Sequence, residues 1–432
     1  MRKNPQKNKG FWKFPAYQMQ QEKNMPKKER KIMSQNKKVY KTEREGQIER
    51  VITASKKDYV IIDRCVDEDT EYFNGEKWKK IKDYKNGENV LAWYPDGHAA
   101  IELPKRYINK PADEPFFHYV SNTLDMCLSG SHNIVYEVEY NVKKHPLRKK
   151  PCYKVFEKWN KVSNGFRGRI PLTFSLEEKV KISEDILRVA IMINADGSYR
   201  PKRVTIDGSC KNPNNPLHLK HDIYEVRVYK ERKIERCRKL LNTANIDFIE
   251  EQTPARNEGL QGVLFRFRFP FNAKYFPKEW IYLSKHLKEV FLQELMYWDG
   301  SISKHVISSE EMVSTRRYSS SKKDDIDIVQ MIAHSCGMST RIREDKRGKN
   351  INYQLSLRSN CYTKMTKENK NLRVMHTGKF TQEAKERKYC FETNSGYLVL
   401  RRNNKIFITG NCSGTGNLET VFIGLKGSRA LN

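Results

Sequence analysis

Cys65 and the dipeptide Asn411-Cys412 are the residues of this 432-residue chain whose types and placing could rearrange the backbone itself. A thiol can attack the carbonyl of the residue before it and turn an amide into a thioester, so Cys65 would take the acyl group of Arg64. Cys412 could receive that acyl group in turn. The Asn411 side-chain nitrogen could then cyclise onto its own carbonyl and release the downstream segment, and a sulfur-to-nitrogen shift would restore an amide. Each step needs an activated nucleophile and a proton donor for the leaving nitrogen. Leu128-Ser129-Gly-Ser-His132 supplies a hydroxyl and an imidazole three residues apart for the first peptide bond. A half-buried histidine at a strand end would look the same.

The flanking text supports the pairing of the two points. Asp58-Tyr-Val-Ile-Ile-Asp63-Arg64 before Cys65, joined to Cys412-Ser-Gly-Thr-Gly-Asn-Leu-Glu419, reads as one strand running into a Gly-rich turn and a helix start. Residues 65–411 are therefore expected to remove themselves.

A second chemistry rests on Asp196 and Asp299. Each follows an apolar helix, Ile186–Ala195 and Leu287–Trp298, each precedes Gly and Ser, and the two lie 103 residues apart. Singly, each is an Asp-Gly helix end. Paired, the helices can bring both carboxylates together, an arrangement suited to divalent metal and phosphodiester cleavage. Around them the sequence reads as two copies of one helix-and-strand unit over residues 175–370. Arg266 and Arg268, and Arg341 and Arg343, are spaced by two within strands, which puts each pair on one sheet face. Phosphate and base-edge contacts would lie there, joined by Arg203, Arg227 and Arg316; a solvated sheet face is the alternative.

The text on either side of that unit is different. Short strands broken by Asn74-Gly75, Asn86-Gly87 and Pro95-Asp96-Gly97 run to about residue 173 and return after about 374, ending in the run Lys405–Ile408. An all-β domain is thus split by an inserted helical one, which an exposed loop tolerates. Residues 1–64 carry 18 Lys or Arg against 7 Asp or Glu and read as a partly disordered basic arm, with a helix at 45–55 and a strand at 59–62.

The formal charge of +30 and pI near 9.6 favour a polyanionic partner, or else a Lys-rich surface kept solvated. No apolar run spans a membrane. Nine cysteines without a Cys-x-x-Cys pair give no zinc pattern, and an odd count without a secretory signal suits a reducing cytoplasm.

On these residues the stretch 65–411 resembles an intein, a Hint-fold protein-splicing domain carrying a LAGLIDADG (DOD-type) homing endonuclease. The resemblance implies an all-β, horseshoe-like Hint domain in two pieces, 65–173 and 374–411. It also implies an inserted α+β endonuclease, 174–373, built from two pseudo-twofold αββαββα halves, with 1–64 and 412–432 as the flanks to be joined. By position it makes Cys65 the first nucleophile, Ser129 and His132 the helper motif, Asn411 the cyclising residue and Cys412 the second nucleophile. Asp196 and Asp299 become the ligands of Mg2+, which the endonuclease needs and splicing does not. Lys274 in Lys274-Tyr-Phe-Pro277 is similar to the family's active-site lysine. Three departures stand out: Gly410 where His is usual, Cys390 where many members have Asp, and no match to a histidine of the penultimate motif. The partner implied is double-stranded DNA, the intein-free host allele, cut by a monomer. Bacterial or phage cytoplasm is the implied setting.

Joined across the gap, Asp63-Arg64-Cys412-Ser-Gly414-Thr-Gly416 resembles the first motif of S-adenosylmethionine-dependent DNA methyltransferases. Gly414 and Gly416 would approach the cofactor only after ligation and in a complete host protein. Two rival readings remain: an inactive LAGLIDADG-fold DNA-binding protein, and a DNA adenine methyltransferase fragment with an inert insertion.

Overall fold

The computed structural model describes residues 65–130, 132–137, 153–158, 167–200, 223–253, 261–306, 312–348, 351–366 and 379–410, all within the unit Ile62–Asn432. The helix expected at 45–55, the strand at 59–62, and Arg203, Asn411, Cys412, Gly414 and Gly416 lie outside the described residues. No described helix is long and apolar enough to cross a membrane.

The hairpin Tyr397–Arg402/Lys405–Gly410 lies at the middle of the largest sheet. Its two-residue turn is Asn403-Asn404, both with positive φ (46° and 61°), the conformation a tight hairpin needs and asparagine tolerates. The flanking strands come from the distant first part of the chain. Val90–Trp93 pairs at Ala92 with Leu398, and Asn133–Glu137 pairs at Ile134 with Thr409. Beyond these the sheet continues through His98–Glu102 on one side and Arg167–Pro171 on the other. Smaller sheets repeat the exchange: Lys379–Glu383 pairs with Phe116–Val120, and Arg387–Glu392 with Arg106–Pro111. The two pieces form one all-β body with a shared core that includes Tyr72, Leu128, Phe391 and Phe407. Ser175–Leu176 pairs with His98–Ala99 and Tyr362–Thr366 pairs with Arg167–Pro171, so both short strands belong to this body.

Between them lies a repeated unit. Helix α1 (Glu184–Asp196), strands Gly197–Arg200 and Ile223–Val228, α2 (Glu231–Thr243) and strands Phe248–Thr253 and Gly262–Phe267 make the first copy. Helix α3 (Lys285–Trp298), strands Gly300–Val306 and Met312–Ser320, α4 (Lys323–Ser335) and strands Ser339–Asp345 and Asn352–Arg358 make the second. Each four-stranded sheet has the order first, second, fourth, third. Among the described residues each copy is αββαββ, without the closing helix expected. After the first copy, Pro277 and the Ser284 cap of α3 leave room only for the 3-10 turn Lys278–Tyr282; the second copy passes into the strand Tyr362–Thr366.

Helices α1 and α3 start alike. Ser183 Oγ accepts from Ile186 N (3.3 Å) and Ser284 Oγ from Leu287 N (3.2 Å), satisfying donors a helix end would leave bare. They pack against each other through faces that bury Leu187, Ala190, Ile191, Phe291, Leu292 and Leu295. A carboxylate sits in that interface: Glu294 of α3, 1% exposed, accepts from Arg188 of α1 (2.6 Å), from Arg236 of α2 and from the Trp298 indole (2.8 Å).

Candidate functional site

Two groups of residues are assembled. The first joins the ends of the segment 65–410. Val66 lies between two neighbours, bridged to Tyr389 on one side and Leu128 on the other, which fixes the position of Cys65 in the β body. Cys65 is fully buried. Its N–H donates to Ser129 Oγ (3.2 Å), and its carbonyl accepts from Ser129 N (3.0 Å). One turn on, His132 N donates to Ser129 O (2.9 Å). The buried imidazole then meets the other end of the segment: His132 Nε2 is 2.6 Å from Thr409 Oγ1. Three residues singled out in the sequence, Cys65, Ser129 and His132, are thus together, and a short chain of hydrogen bonds runs from Cys65 to the strand that leads into Asn411.

Sequence reasoning missed Thr409. Its signal is a hydroxyl in an otherwise apolar run, but which strand it faces depends on long-range register. Gly410, next to it, pairs through backbone with Tyr397 and brings no side chain. Nor does the sequence show the charge network below Cys65. Buried Asp67 is gripped by Arg402 Nε and Nη2 (3.1 and 2.9 Å) from the central hairpin, and Arg402 also reaches Asp125 (2.6 Å) and His118. Arg402 thereby ties the start of the segment to its closing hairpin.

The second group lies where α1 and α3 end. Asp196 is the last residue of α1, and Asp299 caps α3. Gly197 and Gly300 follow because nothing larger fits: a Cβ on Gly300 would stand 2.4 Å from Met296 Cα, and one on Gly197 2.6 Å from Ile193 O. Asp196 is ion-paired with Lys233 of α2. Asp299 keeps a solvent-exposed edge; the surrounding protein first, and the negative Asp196 second, push its carboxyl above the usual range, against the pull of Lys233 and Lys274. Lys274 Nζ donates to the carbonyls of Ile193 (3.1 Å), Asn194 (3.1 Å) and Gly197 (2.6 Å), a cation at the negative end of α1. Burial, then Lys322, lower its pKa, while the acids Asp299, Asp325 and Asp196 oppose them. Asp325 of α4 holds this corner by accepting from Asn194 Nδ2 (3.2 Å) and Phe276 N (3.1 Å). The sequence does not single out Lys233 or Asp325, because α2 and α4 carry no motif, nor Asn194, which reads as one more position of α1.

Among the described residues no three His, Cys, Asp or Glu side chains converge as a closed metal cage. Asp196 and Asp299, near enough for one charge to act on the other, would suit Mg2+ nonetheless, since that ion keeps several waters and completes its shell with substrate phosphate oxygens. Lys233 would have to leave Asp196 for the ion to enter.

The two sheets differ in charge. In the first, Arg266 is bound by Glu225 (3.0 Å) and Glu251, and Arg200 by Glu225 (3.0 Å). Arg227 is exposed on the same face as Glu225, two residues along the strand; Arg268 is exposed just past the end of its strand. In the second sheet, Arg341 and Arg343 share a face as expected, opposite Ser356 and Gln354. Arg316, though exposed, does not join them: strand alternation puts it on the side of Tyr318, and its neighbour Arg317 shares the face of Arg341, Arg343 and Arg358. Burial and neighbouring arginines lower the pKa values of Arg341 and Arg358, the mark of crowded positive charge.

No family model matches the chain. A ribonucleoside-diphosphate reductase subunit beta of Aquifex aeolicus (strain VF5) is 24% identical over 233 residues, 52% of this chain; the chain spans 30% of that protein's length. Structural neighbours are LAGLIDADG proteins at low TM-score. I-DmoI in complex with DNA and Mn is 14% identical over 41% of this chain and 90% of that chain, with TM-score 0.28. The N-terminal LAGLIDADG domain of DUF199/WhiA is 11% identical over 41% and 75%, with TM-score 0.28. I-DmoI is also described with DNA and Ca, at 13% identity over 40% and 82% and the same TM-score.

Proposed function

We propose that residues 65–411 are a self-excising protein-splicing element of the Hint type, carrying a metal-dependent LAGLIDADG-type DNA endonuclease. One observation carries the splicing half: Cys65, Ser129, His132 and Thr409, drawn from both ends of the segment, are linked by successive hydrogen bonds. In this reading Ser129 orients the amide of Cys65 through Oγ, and the Cys65 thiol attacks the Arg64 carbonyl carbon. The Arg64–Cys65 C–N bond breaks, the freed nitrogen takes a proton with His132 as donor, and a thioester results. The Cys412 thiol displaces Cys65 from that acyl group. Asn411 cyclises onto its own carbonyl, breaking the bond to Cys412, and the acyl group moves from sulfur to the Cys412 nitrogen. With Gly410 in place of histidine, the last step would draw on the hydroxyl of Thr409 and the imidazole of His132, which are hydrogen-bonded to each other.

The nuclease half rests on the repeated αββαββ unit with a carboxylate at the end of each paired helix. Mg2+ held there would polarise the phosphodiester and activate water. Asp196 and Asp299 would hold the ion, Lys274 stiffens the end of α1, and the second-sheet face of Arg317, Arg341, Arg343 and Arg358 would meet the DNA backbone. I-DmoI, a coarse structural neighbour, is described with DNA and with Mn, Ca or Mg. A partial likeness to under a third of a differently named protein is compatible with a segment carried by unrelated hosts. The methyltransferase host, with S-adenosylmethionine near Gly414 and Gly416, rests on the joined motif alone.

Incubating the chain with DNA carrying the uninterrupted host sequence and Mg2+ tests the nuclease. Double-strand cleavage that disappears in Asp196→Asn and in Asp299→Asn is expected. Binding without cleavage by the unaltered chain would favour the inactive DNA-binding alternative.

A further inference from the structure

We propose that Cys65 and Cys390 are a disulfide-forming pair, a modification site at which peroxide locks the first thiol. Strand register brings the two residues together. Val66 and Tyr389 exchange both backbone hydrogen bonds, Val66 N to Tyr389 O at 2.8 Å and Tyr389 N to Val66 O at 3.0 Å. In an antiparallel pair the next position along is of the non-hydrogen-bonded kind, with Cα atoms about 4.5 Å apart. That position sets Cys65 opposite Cys390. The backbone of Cys65 agrees, because its N–H and carbonyl both turn away from Cys390 toward Ser129.

A disulfide needs Cα atoms roughly 4.4–6.8 Å apart with side chains on one side. The side chains qualify: Cys65, Cys390 and Ile108 form one small buried cluster, with Ile108 opposite Cys390 on its far side. Both residues carry thiols. Cys127 serves as a contrast. It is also buried, but since Val66 faces Leu128, Cys127 lies farther along the strand, beside Asp67 rather than Cys65.

Hydrogen peroxide is the oxidant of this step, small enough to reach a buried thiol by local opening. Cys65 takes one oxygen to become a sulfenic acid, releasing water. The Cys390 sulfur then displaces that hydroxyl, which leaves as a second water, and the S–S bond forms. Two thiols lose two electrons, and peroxide gains them. A thiol reductant reverses the change. The consequence rests on the splicing reading: with Cys65 bridged, no thioester to Arg64 can form until the bond is reduced.

The test uses the full chain with Asn411→Ala and Cys412→Ala, so that any thioester accumulates and hydroxylamine releases residues 1–64. After peroxide treatment, peptide mass spectrometry should find Cys65 linked to Cys390, and hydroxylamine release should be lost and return with a phosphine reductant. In Cys390→Ser the link must be absent and Cys65 trappable by dimedone as the sulfenic acid; Cys127→Ser should behave as the parent. Absence of the linked peptide, or linkage to Cys127 in equal yield, overturns the inference. If the reduced parent releases nothing with hydroxylamine, the splicing reading fails, while the linked peptide still decides whether the pair exists.

Discussion

Replacing Glu294 by Gln tests how the acid-bearing helices are held together. Glu294 is buried between α1, α2 and α3, and four donors converge on it. Arg188 Nη1 (2.6 Å) and Arg236 Nη2 reach one oxygen; Arg236 Nε (3.1 Å) and Trp298 Nε1 (2.8 Å) reach the other. A glutamine has the same shape but one acceptor oxygen, so either orientation of its amide turns N–H groups toward two donors. Hydrogen bonds to charged groups are each worth about 1.5–3 kcal/mol, which puts the loss near 3–6 kcal/mol. Arg188 keeps Glu184 (2.7 Å), and both arginines retain some solvent, so the lower end, about 3 kcal/mol, is expected. Guanidinium unfolding followed by tryptophan fluorescence reads this as an earlier midpoint at unchanged slope. A partner variant sharpens the result: Glu294→Leu with Arg188→Met and Arg236→Met removes the carboxylate and both guanidiniums together, leaving only the more exposed Glu184, and should cost far less than the single change. A single-variant loss below about 1 kcal/mol, or a triple variant as unstable as the single, would refute the assignment of a coupled buried network.

Gly300→Ala forces a Cβ into Met296 Cα at 2.4 Å, beside Asp299. It should cost about 1–3 kcal/mol in thermal unfolding and lower DNA cleavage by roughly 100-fold, through displacement of the carboxylate. Burial alone would push Asp125 up, but hydrogen bonds from His118 and Asn403 and the charge of Arg402 hold it at about 2. The carboxylate therefore contributes stability that is present above its ordinary value of 3.8 and is lost as pH falls through about 2. That contribution is about 2 kcal/mol, and acid titration of Asp125→Asn should lack it. Replacing Arg341, Arg343 and Arg358 together by Ala should flatten the salt dependence of DNA affinity by about 0.9 for each phosphate no longer neutralised, measured by fluorescence anisotropy. Arg266→Ala should change it less, because Glu225 and Glu251 already neutralise that guanidinium.

Local signals in the sequence are legible where one element carries its own period. The repeat of two apolar helices ending in Asp-Gly emerges as α1 and α3, with Asp196 and Asp299 at their ends. The run Lys405–Ile408, read as the closing strand, falls within the strand Lys405–Gly410. Features that escape sequence reading depend on phase or on partners far away in the chain. Arg316 and Arg317 are adjacent, and only the register against Leu357 and Ser356 decides which shares the face of Arg341. Thr409 joins His132 because Lys405–Gly410 pairs with Asn133–Glu137, a contact across 277 residues. Glu294 has the look of an ordinary polar position of an amphipathic helix until arginines from two other helices meet it. Strand Tyr362–Thr366 lies inside the expected helical unit because its partner, Arg167–Pro171, is nearly two hundred residues away.

Splicing itself is tested most directly by expressing the chain in a neutral host and weighing the products by intact-protein mass spectrometry. The expected products are a species with the mass of residues 65–411 and a second in which Arg64 is joined to Cys412. Both should vanish in Cys65→Ala, while in Asn411→Ala no ligated product with free Cys412 amide linkage should form. A chain that stays whole, with the 51.0 kDa mass of the full sequence and no change on either substitution, would contradict self-excision.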